Sequence, residues 1–181
     1  FDEEGTILHR VPGRAGKLVS GKQALFLLVE RQDTNSVWLE AGVIRGGSIY
    51  STVKIRGPLD YTFHADLAVD PAGGDALIVA ECAVNFGSDC WFGMHREIRV
   101  WRLAPGARQA IPVPDTADSA LPIEKRAFKS GMGEASENMP GIRPLIVIDR
   151  GLPLMAFRQF RCRIMKDFGW DVWWTRFDGQ C

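Results

Sequence analysis

An all-β fold built from three related antiparallel units is what this sequence predicts, and three observations predict it. An apolar strand–turn–strand segment recurs three times, a Trp-bearing strand follows each copy, and helical periodicity is nearly absent. The copies run over Gly16–Arg31, Ala65–Cys82 and Arg143–Gln159. Each reads as a short apolar strand, a turn holding Gly or Asp, and a second apolar strand ending in charge. The turns Asp70-Pro71-Ala72-Gly73-Gly74-Asp75 and Asp149-Arg150-Gly151 suit tight reversals, because Gly tolerates positive φ and Asp bonds its own backbone. Phe26–Val29 and Leu77–Ala80 are apolar at every position, as strands covered on both faces are.

The remaining strands follow in order. Val37–Leu39, Glu97–Leu103 and Asp171–Phe177 are third strands with largely alternating polarity, which gives them one wet face. Fourth strands read at Ser48–Ile55 and Gln109–Val113, and Thr6–Val11 reads as an outer strand for the third unit. Only Ile123–Lys129, inside the Pro- and Gly-bearing insertion 115–140, has the pattern of a helical turn or two. Four strands in a unit of about 50 residues match the size of a β-propeller blade. The expected architecture is therefore a single propeller-like domain over residues 1–181 with three four-stranded blades. Their expected bounds are about 12–58, about 59–114 (followed by the insertion) and about 141–181, with 1–11 as the outer strand of the last. Rings typically need about 4–8 blades, so three call for a second copy or a missing chain segment to complete the circle.

Composition narrows the function classes. Lys plus Arg equals Asp plus Glu at 22 each, which argues against a nucleic-acid or anionic-membrane binder, since both need surplus basic charge. No apolar run approaches a membrane span. Cys82 and Cys90 flank a run of turn formers, and with Cys162 and Cys181 they allow three disulfide connectivities. A secreted or periplasmic location is the matching expectation. Metal and cofactor chemistry find no support: CxxC spacing, a phosphate-cradling Gly-rich loop and a Gly-x-Ser-x-Gly elbow are all missing.

Leu67-Ala68-Val69-Asp70 with its Gly turn and following apolar strand resembles the bacterial neuraminidase repeat superfamily of secreted propellers, as do Arg143–Arg158 and Asp171–Arg176. The Asp-box Ser-x-Asp-x-Gly-x-x-Trp is absent, so no sialidase residue carries over. The resemblance implies glycan hydrolases, polysaccharide lyases or lectin-like modules. A weaker likeness to WD-repeat propellers rests on Ile98–Gly106, without the Gly-His and repeated Trp-Asp signatures.

Hairpin geometry supplies the candidate site. The start of each first strand lies beside the end of the second, so Lys17, His64, Asp66 and Arg143 share a face with Glu30, Glu81 and Arg158. His64, Asp66, Glu81, Arg143 and Arg158 are the candidate ligand-binding residues for a glycan or other polar ligand. Glu30, Glu81 and His64 are the candidate catalytic groups, since glycoside hydrolysis uses paired carboxylates and a lyase uses a base beside a cation. The same charges also suit ion pairs between blades. Weaker candidates are His95 with Trp91 and Phe92, the aromatics Trp170, Trp173 and Trp174, and the basic group Arg158, Arg161, Arg163 and Lys166. Three functions follow: glycan recognition, a carbohydrate-active enzyme, or a protein-binding scaffold.

Overall fold

The computed structural model describes residues 13–14, 16–85, 95–113, 143–163 and 167–176. Within them the protein is all-β and antiparallel, with no helix. Eleven strands form three successive meanders. Sheet 1 holds β1 (Gly16–Ser20), β2 (Leu25–Gln32), β3 (Val37–Arg45) and β4 (Ser48–Ile55). Sheet 2 holds β5 (Thr62–Val69), β6 (Ala76–Asn85), β7 (His95–Leu103) and the two-residue β8 (Ile111–Pro112). Sheet 3 holds β9 (Leu145–Asp149), β10 (Leu152–Arg163) and β11 (Asp167–Arg176).

Local chemistry explains the reversals. Gly46 and Gly47 join β3 to β4 at φ of 55° and 77°, two successive positive values that match the right-handed twist of the flanking strands. Arg150 and Gly151 do the same between β9 and β10. Between β5 and β6 the Asp70 carboxylate accepts the N–H groups of Ala72 (2.8 Å) and Gly73 (3.2 Å), closing the loop on itself. The β2–β3 turn is held by Asp33, which accepts the N–H of Asn35 at 2.9 Å and the N–H and hydroxyl of Ser36 at 2.7 and 2.9 Å.

Sheet 2 lies between the other two, and this accounts for its composition. Phe26, Leu28, Leu39 and Val43 of sheet 1 pack with Leu67, Ile78, Trp101 and Leu103 into a first core. The opposite face of sheet 2, with Leu77, Val79, Ile98 and Val100, packs with Ile146, Met155 and Phe157 into a second. Every residue of Ala76–Ala83 is buried, so this stretch of β6 turns neither face to solvent. Covering a side chain such as Ile78 contributes about 1.5–3 kcal/mol. The first strands of the three sheets neighbour one another, β5 lying against both β1 and β9.

Several sequence expectations are revised here. The third strand of sheet 1 continues from Leu39 to Arg45, paired with β2 on one side and β4 on the other up to the Gly46–Gly47 reversal. The fourth strand of sheet 2 shrinks to Ile111–Pro112, followed by one more bond to β7 from the Val113 N–H to the Val100 carbonyl at 2.9 Å. Sheet 3 has three strands among the described residues, and the three sheets close no ring, as expected of three units. The expected outer strand Thr6–Val11, the insertion 115–140 and its helical turn Ile123–Lys129 lie outside the described residues.

Candidate functional site

A cleft of about 270 Å³ opens between sheets 1 and 2, lined by Arg14, Gly16, Lys17, Leu28, Glu30, Leu39, His64 and Ala65. Its apolar lining comes from the β2 and β3 residues Leu28 and Leu39, both buried. Polar groups come from the start of β1, the end of β2 and an irregularity in β5.

That irregularity is a β-bulge. Phe63 pairs with Glu81 and Asp66 with Val79, so His64 and Ala65 together oppose Ala80 alone. His64 takes φ of 50°, the left-handed region usually filled by Gly, though His enters it more readily than most residues. Three contacts hold it there or follow from it. Its N–H donates to Glu30 Oε2 at 3.1 Å, its ring Nδ1 is hydrogen-bonded to Glu81 Oε2 at 2.9 Å, and the residue lines the cleft.

The carboxylates divide into two kinds. Glu30 keeps 13% of its side chain exposed, at the cleft, with Arg14 Nε 4.0 Å from Oε1. Glu81 is fully buried behind His64 and also accepts the N–H of Arg143 at 3.4 Å. Asp66 is buried as well: Oδ1 pairs with the Lys17 ammonium and Oδ2 accepts the Ile146 N–H at 2.8 Å. One side chain of sheet 2 thus binds both neighbouring sheets.

The predicted site residues therefore separate. His64, Glu30 and Lys17 meet at the cleft. Asp66 and Glu81 are brought to the same junction but are buried among protein partners, where they hold the framework. Arg143 has φ of 49° and gives its N–H to Glu81, repeating at the sheet 2–sheet 3 junction what His64 does one sheet earlier. Arg158 pairs along the backbone with Val172, and its side chain lies outside the described residues. So do the side chains of His95, Trp170, Trp173, Trp174, Arg161, Arg163 and Cys162, and all of Trp91, Phe92, Lys166, Cys90 and Cys181. Cys82 is buried in the first core with Sγ 3.9 Å from Thr62 Oγ1.

Arg14 is the cleft residue that sequence reading passes over. It precedes β1, out of register with the strand-start column, and is drawn in by its N–H to the Glu30 carbonyl (3.0 Å) and its guanidinium to Gln32 (2.7 Å). Away from the cleft, the Lys54 ammonium sits 3.9 Å above the Trp38 ring on the outer side of sheet 1. Among the described residues no group of three or more His, Cys, Asp or Glu is placed to hold a metal ion, and no helix is long and apolar enough to cross a membrane. Neither protein-family models nor curated protein sequences give a match to this chain.

Proposed function

We propose that the chain is part of a propeller-type recognition module that binds a polar ligand, a glycan by its chemistry, in the cleft between sheets 1 and 2. The observation that carries the reading is His64. A bulged, left-handed residue held by two carboxylates is a costly local arrangement of the kind concentrated at binding sites, and this one lines a concave space. Leu28 and Leu39 form the apolar floor beneath the cleft, while Arg14, Lys17, Glu30 and His64 offer donors and acceptors for the hydroxyls of a sugar. At about 270 Å³ the space lies near the lower end of ligand pockets, which suits one sugar residue better than a long chain segment. Three consecutive meanders with adjoining first strands support the propeller-type architecture.

A second reading has its own observation. The Glu81–His64 hydrogen bond orients the imidazole as it would a general base, so the cleft also suits carbohydrate-active chemistry.

Calorimetric titration of an oligosaccharide panel tests the proposal. At least one member should bind, Glu30→Gln and Arg14→Ala should each weaken it about tenfold or more, and thermal stability should stay near that of the parent. Absence of any binding, or binding indifferent to both substitutions, removes the site. Turnover of the bound sugar that is lost in His64→Gln would favour the enzymatic reading.

A further inference from the structure

The base–acid pairs at the cleft share an orientation. Arg14 keeps 65% of its side chain exposed against 13% for Glu30, Lys17 41% against 9% for Asp66, and His64 35% against 0% for Glu81. In each pair the basic partner stands toward water and the carboxylate lies behind it. Arg14, Lys17 and His64 all line the cleft, whereas Asp66 and Glu81 do not reach the lining. Outside the cleft the order is reversed: in Arg31–Glu40 and Arg56–Asp60 the carboxylate is the more exposed partner.

Hydrogen-bonding capacity is distributed in the same way. Protein donors already hold the acids. Glu30 Oε2 accepts the His64 N–H and its Oε1 has Arg14 Nε 4.0 Å away, while Asp66 serves the Lys17 ammonium and the Ile146 N–H. The two permanent cations are far from filled. An ammonium has three N–H groups and a guanidinium five. Among the described residues Lys17 gives one to Asp66, and Arg14 gives one from Nη1 to Gln32 with only Nε near Glu30. What the cleft has left to offer is therefore mostly donors on positive groups. A ligand entering it meets the cation of each pair first and the acid only at greater distance, so attraction for negative charge outweighs repulsion.

We propose that the cleft selects sugars bearing an oxyanion, a carboxylate or a sulfate ester, with Arg14 and Lys17 as the specificity-determining donors. This rests on the reading of the cleft as a glycan site and narrows it. The guanidinium suits either group through a two-pronged contact, and the ammonium adds a compact point charge. A neutral sugar would leave those N–H groups to water alone.

Calorimetric titration with three oligosaccharides of equal length tests it: one unsubstituted, one carrying a uronate carboxylate and one carrying a sulfate ester. At least one acidic member should bind about tenfold or more tighter than the unsubstituted one at low salt, and added salt should shrink the advantage. Whichever acidic member binds more tightly identifies the oxyanion. Arg14→Gln should cut the advantage several-fold and Arg14→Lys should restore most of it. Both variants should keep the parent circular dichroism, because the Arg14 side chain already lies largely in water. Equal or tighter binding of the unsubstituted sugar overturns the proposal and leaves the cleft as a site for neutral glycans. An acidic advantage that Arg14→Gln leaves untouched overturns it too, since the charge would then be read elsewhere. Binding of none of the three removes the glycan site itself, and this proposal with it.

Discussion

His64 adopts a backbone conformation that costs an L-residue about 1–2 kcal/mol, and it does so to satisfy two carboxylates from two different strands. Removing the ring leaves Glu81, which is fully buried, without its imidazole donor. His64→Ala should therefore destabilise the fold by about 1–3 kcal/mol. His64→Gly loses the same hydrogen bond but fits the left-handed region, so it should be the more stable of the two in urea denaturation. A glycine variant no more stable than the alanine variant would remove backbone strain from the account of this position. Asp66 acts on the same scale, giving one oxygen to Lys17 and the other to the Ile146 amide, and so leaves neither a buried donor nor a buried charge unmatched.

Among the elements, the β2–β3 turn has a titratable keystone. The N–H of Asn35 donates to Asp33, with further bonds from the Ser36 hydroxyl and N–H, and together they hold its carboxyl below the ordinary aspartate value of 3.8. Because the folded pKa is the lower one, the carboxylate supports the turn above the unfolded value, and that support is lost as pH falls through the folded value. An NMR titration of the Asp33 side chain should give a midpoint below 3.8, and the amides of Asn35 and Ser36 should shift with it. In Asp33→Asn those amides should no longer titrate together in this range. The bulge in β5 has the opposite character, being set by long-range partners: Glu30 and Glu81 are 34 and 17 residues from His64 in sequence.

For the whole molecule, the central position of sheet 2 couples the two cores. Ile78 faces sheet 1 and its neighbour Val79 faces sheet 3, so one strand supports both. Ile78→Ala should open a hole in the first core and Met155→Ala one in the second, each at a cost of about 2–5 kcal/mol. Differential scanning calorimetry should show a single transition that both substitutions lower. Two transitions, each sensitive to only one of them, would mean that the cores unfold independently.

The amino-acid sequence by itself determined the all-β class, the three strand–turn–strand hairpins and the gathering of Lys17, Glu30, His64, Asp66 and Glu81 at one junction. These follow from local physics: period-two patterning, turn chemistry, and the rule that a hairpin sets the start of one strand beside the end of the next. Fully apolar Leu77–Ala80 likewise announced a strand covered on both sides. What only the tertiary structure decided is which of the charged residues face a cleft. Glu30 and Glu81 occupy matching positions in their hairpins, yet Glu30 borders open space and Glu81 is sealed behind His64 and Arg143. Arg14 and the left-handed backbone of His64 were likewise out of reach, because both depend on partners in other strands. A sequence pattern fixes which way a side chain points from its own strand, while the neighbouring sheet decides whether it meets water, a ligand or another protein group.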